Sequence, residues 1–114
     1  MFKLTNYGYL YNLWNGTLRE LKGEIWSQES YIVDNLIIPK KTYFRVIDEH
    51  GRPVKKLQCS DIEGEICNKG VWLNEADRSK AAKILIQYEE EQIAKLQFMI
   101  QNHKRLIESL KREP

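Results

Sequence analysis

Few residues in this chain are equipped for chemistry. The sequence holds two cysteines and two histidines among 114 residues, namely Cys59, Cys67, His50 and His103. No second pair stands at metal-ligand spacing, so a tetrahedral site lacks its donors, and neither metal nor cofactor is expected. Two thiols without a secretory leader read as reduced core residues rather than as a disulfide. The first six residues contain no apolar run ahead of a small-residue cleavage site, and no stretch approaches the ~18 uncharged apolar residues of a membrane span. The expectation is a cytoplasmic protein with no membrane partner. Net charge is scarce as well, since 18 Lys and Arg against 16 Asp and Glu leave +2. That balance excludes a wholesale DNA mimic and a protein that lives on phosphate contacts alone. With 42% hydrophobic and 30% charged residues, the chain carries enough apolar surface to fold, and its length fits one domain.

Backbone breakers are missing from one region. All six glycines, together with Pro39 and Pro53, lie in the first 70 residues, and the third proline is Pro114. From Val71 to Glu113 nothing interrupts a helix. Residues 1–73 therefore read as a small antiparallel β module and residues 74–114 as a long C-terminal helix of the same domain. The fold class is α+β, a sheet of four to six short strands followed by one helix with coiled-coil character.

Within the module, Tyr9, Tyr11 and Leu13 alternate with more polar residues up to Asn15-Gly16, a dipeptide suited to a two-residue hairpin turn. The following Thr17-Leu18-Arg19-Glu20 also reads as a capping box, and Gly23 would end such a helix after barely two turns, so 17–22 fits a short helix or a strand. Tyr31–Val33, Leu36–Ile38 and Thr42–Ile47 are rich in β-branched and aromatic residues. Asp48 to Gly51 turns the chain, and Pro53 to Cys59 returns as a partner strand. Glu65–Cys67 and Val71–Leu73 flank a further turn at Asn68 to Gly70.

The helix reads from an N-cap at Asn74, with Glu75 and Asp77 in its first turn and Lys104, Arg105, Lys111 and Arg112 near its far end, charges that complement the dipole. About 38 residues would span ~57 Å, longer than the module is wide. Ile86, Ile93, Ile100 and Ile107 recur every seven residues, and Ala82, Glu89, Leu96, His103 and Leu110 fall between them. These are heptad a and d positions, in the Ile-at-a, Leu-at-d combination that fits a parallel two-stranded coiled coil. Leu85, Met99 and Leu106 widen the stripe, which calls for contact with the sheet or for a bundle of more than two helices. A helix folded over its own sheet also shows a stripe. The unbroken register on an overlong helix favours a homodimer or small homo-oligomer through Ile86, Ile93, Leu96, Ile100, His103, Ile107 and Leu110.

No catalytic constellation is recognisable, neither a phosphate-cradling glycine loop nor a nucleophile elbow nor a His-Glu helix pair, so no catalytic residue is assigned and an enzyme is not expected. Two surfaces are candidates for binding. Lys40, Lys41, Arg45, Arg52, Lys55 and Lys56 surround a hairpin with Tyr43 and Phe44 interleaved, a composition that can track a nucleic-acid backbone and stack bases. Near-neutral net charge favours instead a solvated hairpin with its aromatics turned inward. Tyr9, Tyr11 and Trp14 belong to an aromatic cluster that can anchor a protein partner or form the core.

The segment Val71-Trp-Leu-Asn-Glu-Ala-Asp-Arg-Ser-Lys-Ala-Ala-Lys83, continuing through Tyr88 to Leu110, resembles the ends of small accessory proteins encoded by phages and prophages of low-GC Gram-positive bacteria. The resemblance covers roughly the last 40 residues and carries no functional residue with it. It implies a setting in which such proteins act as stoichiometric inhibitors of host defence, anti-CRISPR proteins among them, or as transcriptional and virion-assembly factors. The leading expectation is a non-catalytic protein that binds and inhibits a host protein, with a nucleic-acid-targeting defence complex as the target class. A small nucleic-acid-binding regulator and an assembly protein acting through its coiled coil are the alternatives.

Overall fold

The computed structural model describes residues 2–114 and places seven strands ahead of one helix. Strands β1 (Lys3–Trp14) and β2 (Thr17–Gln28) form a long hairpin closed by Asn15 and Gly16, both at positive φ (52° and 75°). This is the turn for which Asn-Gly is favoured, because its twist matches that of the flanking strands. Residues 17–22 are the first half of β2, so the capping-box pattern does not open a helix. Glu20 accepts a hydrogen bond from the Tyr11 hydroxyl at 2.6 Å instead of capping a backbone N–H.

Strands β5 (Lys41–Ile47), β6 (Pro53–Gln58) and β7 (Gly70–Leu73) complete a five-stranded sheet in the order β6-β5-β2-β1-β7, antiparallel at every pairing. Strands β3 (Tyr31–Val33) and β4 (Leu36–Ile38) form a separate two-stranded sheet in the connection between β2 and β5. The strands were expected to be uniformly short, yet β1 and β2 run 12 residues each. Gly8 and Gly23 pair opposite each other inside that hairpin rather than ending it. A Cβ at Gly23 would lie 2.3 Å from the Arg45 carbonyl and 2.4 Å from the Phe44 ring, so the strand can approach β5 this closely only without a side chain. Glu65–Cys67 is not a strand; Cys67 forms only an isolated bridge to Gly70.

The sheet is apolar on both faces. Leu10, Ile25, Phe44, Val46, Cys59 and Trp72 pack on one, where the Trp72 indole N–H donates to the Ser60 carbonyl at 2.6 Å and ties down the chain that follows β6. Tyr11, Val71 and Leu73 on the other face receive the first turns of the helix through Ala81. Both cysteines are free thiols.

The helix α1 (Arg78–Lys111) begins three residues later than the Asn74 cap would place it. Asp77 is the N-cap, its carboxylate accepting the Lys80 N–H at 3.0 Å, and no acidic residue stands in the first turn. Asn74 is engaged elsewhere, donating its backbone N–H to Glu63 at 2.5 Å and accepting from the Asn6 side chain. At 34 residues α1 is about 51 Å long, and it carries the molecule to an extent of 70 Å along its longest axis.

Candidate functional site

The docking of α1 determines which of its faces is left free. Tyr11 anchors its start: the phenol donates to Glu20 and accepts the Asp77 N–H at 2.9 Å. Burial and the Glu20 hydrogen bond push the Tyr11 hydroxyl up to about 12. The Arg78 side chain donates to the Leu18 carbonyl. Ala81, fully buried, and the half-buried Ile84 and Leu85 then pack on the sheet. These positions recur with Tyr88 on a face turned about a third of a turn from the line through Ala82, Ile86, Glu89 and Ile93.

The isoleucine seam is therefore not what the sheet covers. Ile86, Ile93, Ile100 and Ile107 are 57, 54, 53 and 50% exposed, and Leu96, Met99, Leu106 and Leu110 lie between 52 and 70%. His103 lies on the same exposed surface. Of the residues that widen the stripe, Leu85 is accounted for by the sheet, whereas Met99 and Leu106 lie beyond its reach. Where the seam passes the β1–β2 turn, Leu13 and Leu18 face Ala82, Leu85, Ile86 and Ile93 across an open apolar groove of about 290 Å³, with Glu89 and Glu90 at its edge.

A second uncovered apolar surface is the β3–β4 hairpin. Asp34 and Asn35 close it at positive φ (49° and 64°), and Ile32 pairs with Ile37 across it. These two isoleucines are 72 and 75% exposed, and Val33 and Leu36 are exposed as well. The sequence marks both strands but not their exposure. The available signal was the lack of polar alternation, since a strand apolar on both faces needs cover on both.

The basic residues do not form one stripe. Lys40 is paired with Asp61 at 3.1 Å and with Glu29 at 3.9 Å, and these carboxylates raise its pKa. Arg45 lies 4.6 Å over the Trp26 ring and 4.0 Å from Glu24; its cross-strand neighbour Lys56 lies 4.5 Å over Tyr43. Lys55 turns to the opposite face, 5.9 Å from the Trp14 ring that Arg19 also covers. Lys41 and Arg52 are exposed without a close ring partner. Of the aromatic candidates only Trp14 is exposed; Tyr9 is half-buried, and Tyr11 is fully buried and so belongs to the core rather than to a binding surface.

Cys59 is buried and its thiol is pushed up to about 12 by desolvation, with Cys67 and Asp61 adding to the shift. Among the described residues no group of three or more His, Cys, Asp or Glu is placed to hold a metal ion, and no helix is long and apolar enough to cross a membrane. No family model, curated protein or solved structure matches this chain.

Proposed function

We propose that this is a non-catalytic accessory protein of phage type, which self-associates through α1 and uses its β module to bind and inhibit a host protein in the cytoplasm. One observation carries this reading: two separate elements, the α1 seam and the β3–β4 hairpin, expose large apolar side chains that nothing among the described residues covers. Contiguous apolar surface of this kind is uncommon on monomers and marks contact with other macromolecules. Two such surfaces accommodate two roles, self-association on the helix and target binding on the hairpin. A nucleic-acid-targeting defence complex is the proposed class of target, on the strength of the resemblance in the last 40 residues.

The test is recovery of a partner from a low-GC Gram-positive host, by wild-type chain and by Ile32→Asp combined with Ile37→Asp. A specific stoichiometric partner captured by the first and lost by the second supports the reading. Capture of none, or equal capture by both, overturns it.

A second reading, a small nucleic-acid-binding regulator, draws on the placement of Arg45, Trp26, Lys56 and Tyr43 on one face of the sheet. It expects salt-sensitive binding that falls when Lys55 and Lys56 are both changed to Glu. The ion pairs of Lys40 and Arg45, and the division of Lys55 and Lys56 between two faces, make it the weaker of the two.

A further inference from the structure

We infer that the occupant of the α1 seam is a second copy of the same helix running antiparallel, in a register that sets Ile86 against Leu110 of the partner and places the two-fold axis level with Phe98. The inference rests on the self-association proposed above and adds its direction, its register and the place of the β modules.

The area is sufficient. The exposed apolar side chains from Ile86 to Leu110, at roughly 100 Å² apiece, reach the ~800 Å² per partner that a standard interface buries.

Charge selects the direction. Acidic residues cluster at Glu89, Glu90 and Glu91, whereas His103, Lys104, Arg105, Lys111 and Arg112 lie toward the other end. A parallel pair, the arrangement that isoleucine at a and leucine at d otherwise fits, would stack Glu89 on Glu89 and His103 on His103 inside the seam. Two like carboxylates facing each other in an apolar layer are strongly unfavourable. The antiparallel pair removes both clashes. Its layers set Ile86 against the partner's Leu110, Glu89 against its Ile107, Ile93 against its His103 and Leu96 against its Ile100. Glu90 then flanks the partner's Lys104, and Glu89 falls between the partner's Lys104 and Lys111, one turn to either side of its Ile107. Lys83 beside the partner's Lys111 is the one like-charge approach in this register.

The groove gives the same answer from the fold. Leu13 and Leu18 widen the apolar surface beside Ala82 to Ile93 and nowhere else along α1. In the antiparallel register that segment meets the partner's residues 103–114, whose Leu106 and Leu110 are among its more exposed apolar side chains. Each groove thus receives the free end of the other helix, and the two β modules stand at opposite ends of the pair. In a parallel pair the groove would instead meet the partner's own Glu89 and Glu90.

The experiment measures distances between spin labels at Gln87→Cys and, separately, Gln101→Cys, both exposed positions away from the seam. The background is Cys67→Ser, since Cys59 is buried. At 1.5 Å per residue the antiparallel register puts the two labels at 87 about 33 Å apart along the axis, and those at 101 about 9 Å apart. Equal, short distances at both positions mean a parallel pair and overturn the inference while leaving self-association intact. A single-chain mass by light scattering at labelling concentration overturns the self-association itself. Charge exchange supplies a readout without labels: Glu90→Lys and Lys104→Glu each weaken pairing several-fold, and the two together in one chain restore it. Absence of that restoration also overturns the register.

Discussion

The β module and α1 are both well supplied with apolar residues, but they use them in opposite ways. Leu10, Tyr11, Ile25, Phe44, Val71 and Leu73 are buried within the module to 4% exposure or less, whereas the one buried residue of α1 is Ala81. A sheet whose faces carry its own connections and a docked helix can satisfy its apolar set internally. A 34-residue helix that meets the sheet only over its first few turns cannot. The same side chain, isoleucine, therefore supports folding at position 25 and is available for association at position 93.

That contrast can be broken by substitution. Phe44→Ala removes a fully buried ring beside Gly23 and should cost about 3–5 kcal/mol by urea unfolding. Gly23→Ala forces a methyl against the Arg45 carbonyl and the Phe44 ring and should cost about 1–3 kcal/mol in the same assay. The junction between the two regions responds to alkali. Tyr11 has its pKa raised by burial, from an ordinary value of 10.0 to about 12. Its hydroxyl therefore contributes stability that is complete below pH 10 and is lost as pH rises toward 12, because the unfolded chain releases that proton first. Unfolding curves between pH 9 and 12 should show a loss that Tyr11→Phe reduces, the remainder belonging to the buried Cys59 thiol, which is raised into the same range.

Asp77→Ala removes the N-cap of α1 and should cost about 1 kcal/mol, read as helix signal by circular dichroism. The smallest effect on the fold belongs to the seam. Ile93→Ala and Ile100→Ala should each move the unfolding of dilute chain by no more than about 0.5 kcal/mol, while lowering the mass seen by light scattering at high concentration. A multi-kilocalorie cost at Ile100 in the monomer would erase the distinction between the two regions.

Legibility in the sequence followed locality. Asn15-Gly16, the turn at Asp48 to Gly51 and the breaker-free helix are local signals, and each element forms where it reads except for the start of the helix. The strand lengths were not legible, because Gly8 and Gly23 look like punctuation until β7 and β5 are brought against them. Thr17 to Glu20 carries helix signals, but pairing with β1 and the bond from Tyr11 to Glu20 outweigh them. Asn74 is as good a cap by composition as Asp77; contacts to Asn6 and Glu63, distant in sequence, divert it. The seam was visible as periodicity. Which face of α1 the sheet takes depends on where Tyr11, Val71 and Leu73 point, and periodicity does not encode that.

If α1 pairs as proposed, its shallow anchorage makes its structure a function of dilution. Past Gln92 every residue of α1 is exposed, and an isolated helix of about twenty residues is marginal in water. Ordering of this segment is then thermodynamically linked to pairing. Amide hydrogens from residue 93 onward should exchange rapidly in dilute solution and slowly in concentrated solution, while those of β1 and β2 keep one rate throughout. The distal helix would in that case report the local abundance of its own chain, being ordered where copies are crowded and frayed where they are sparse.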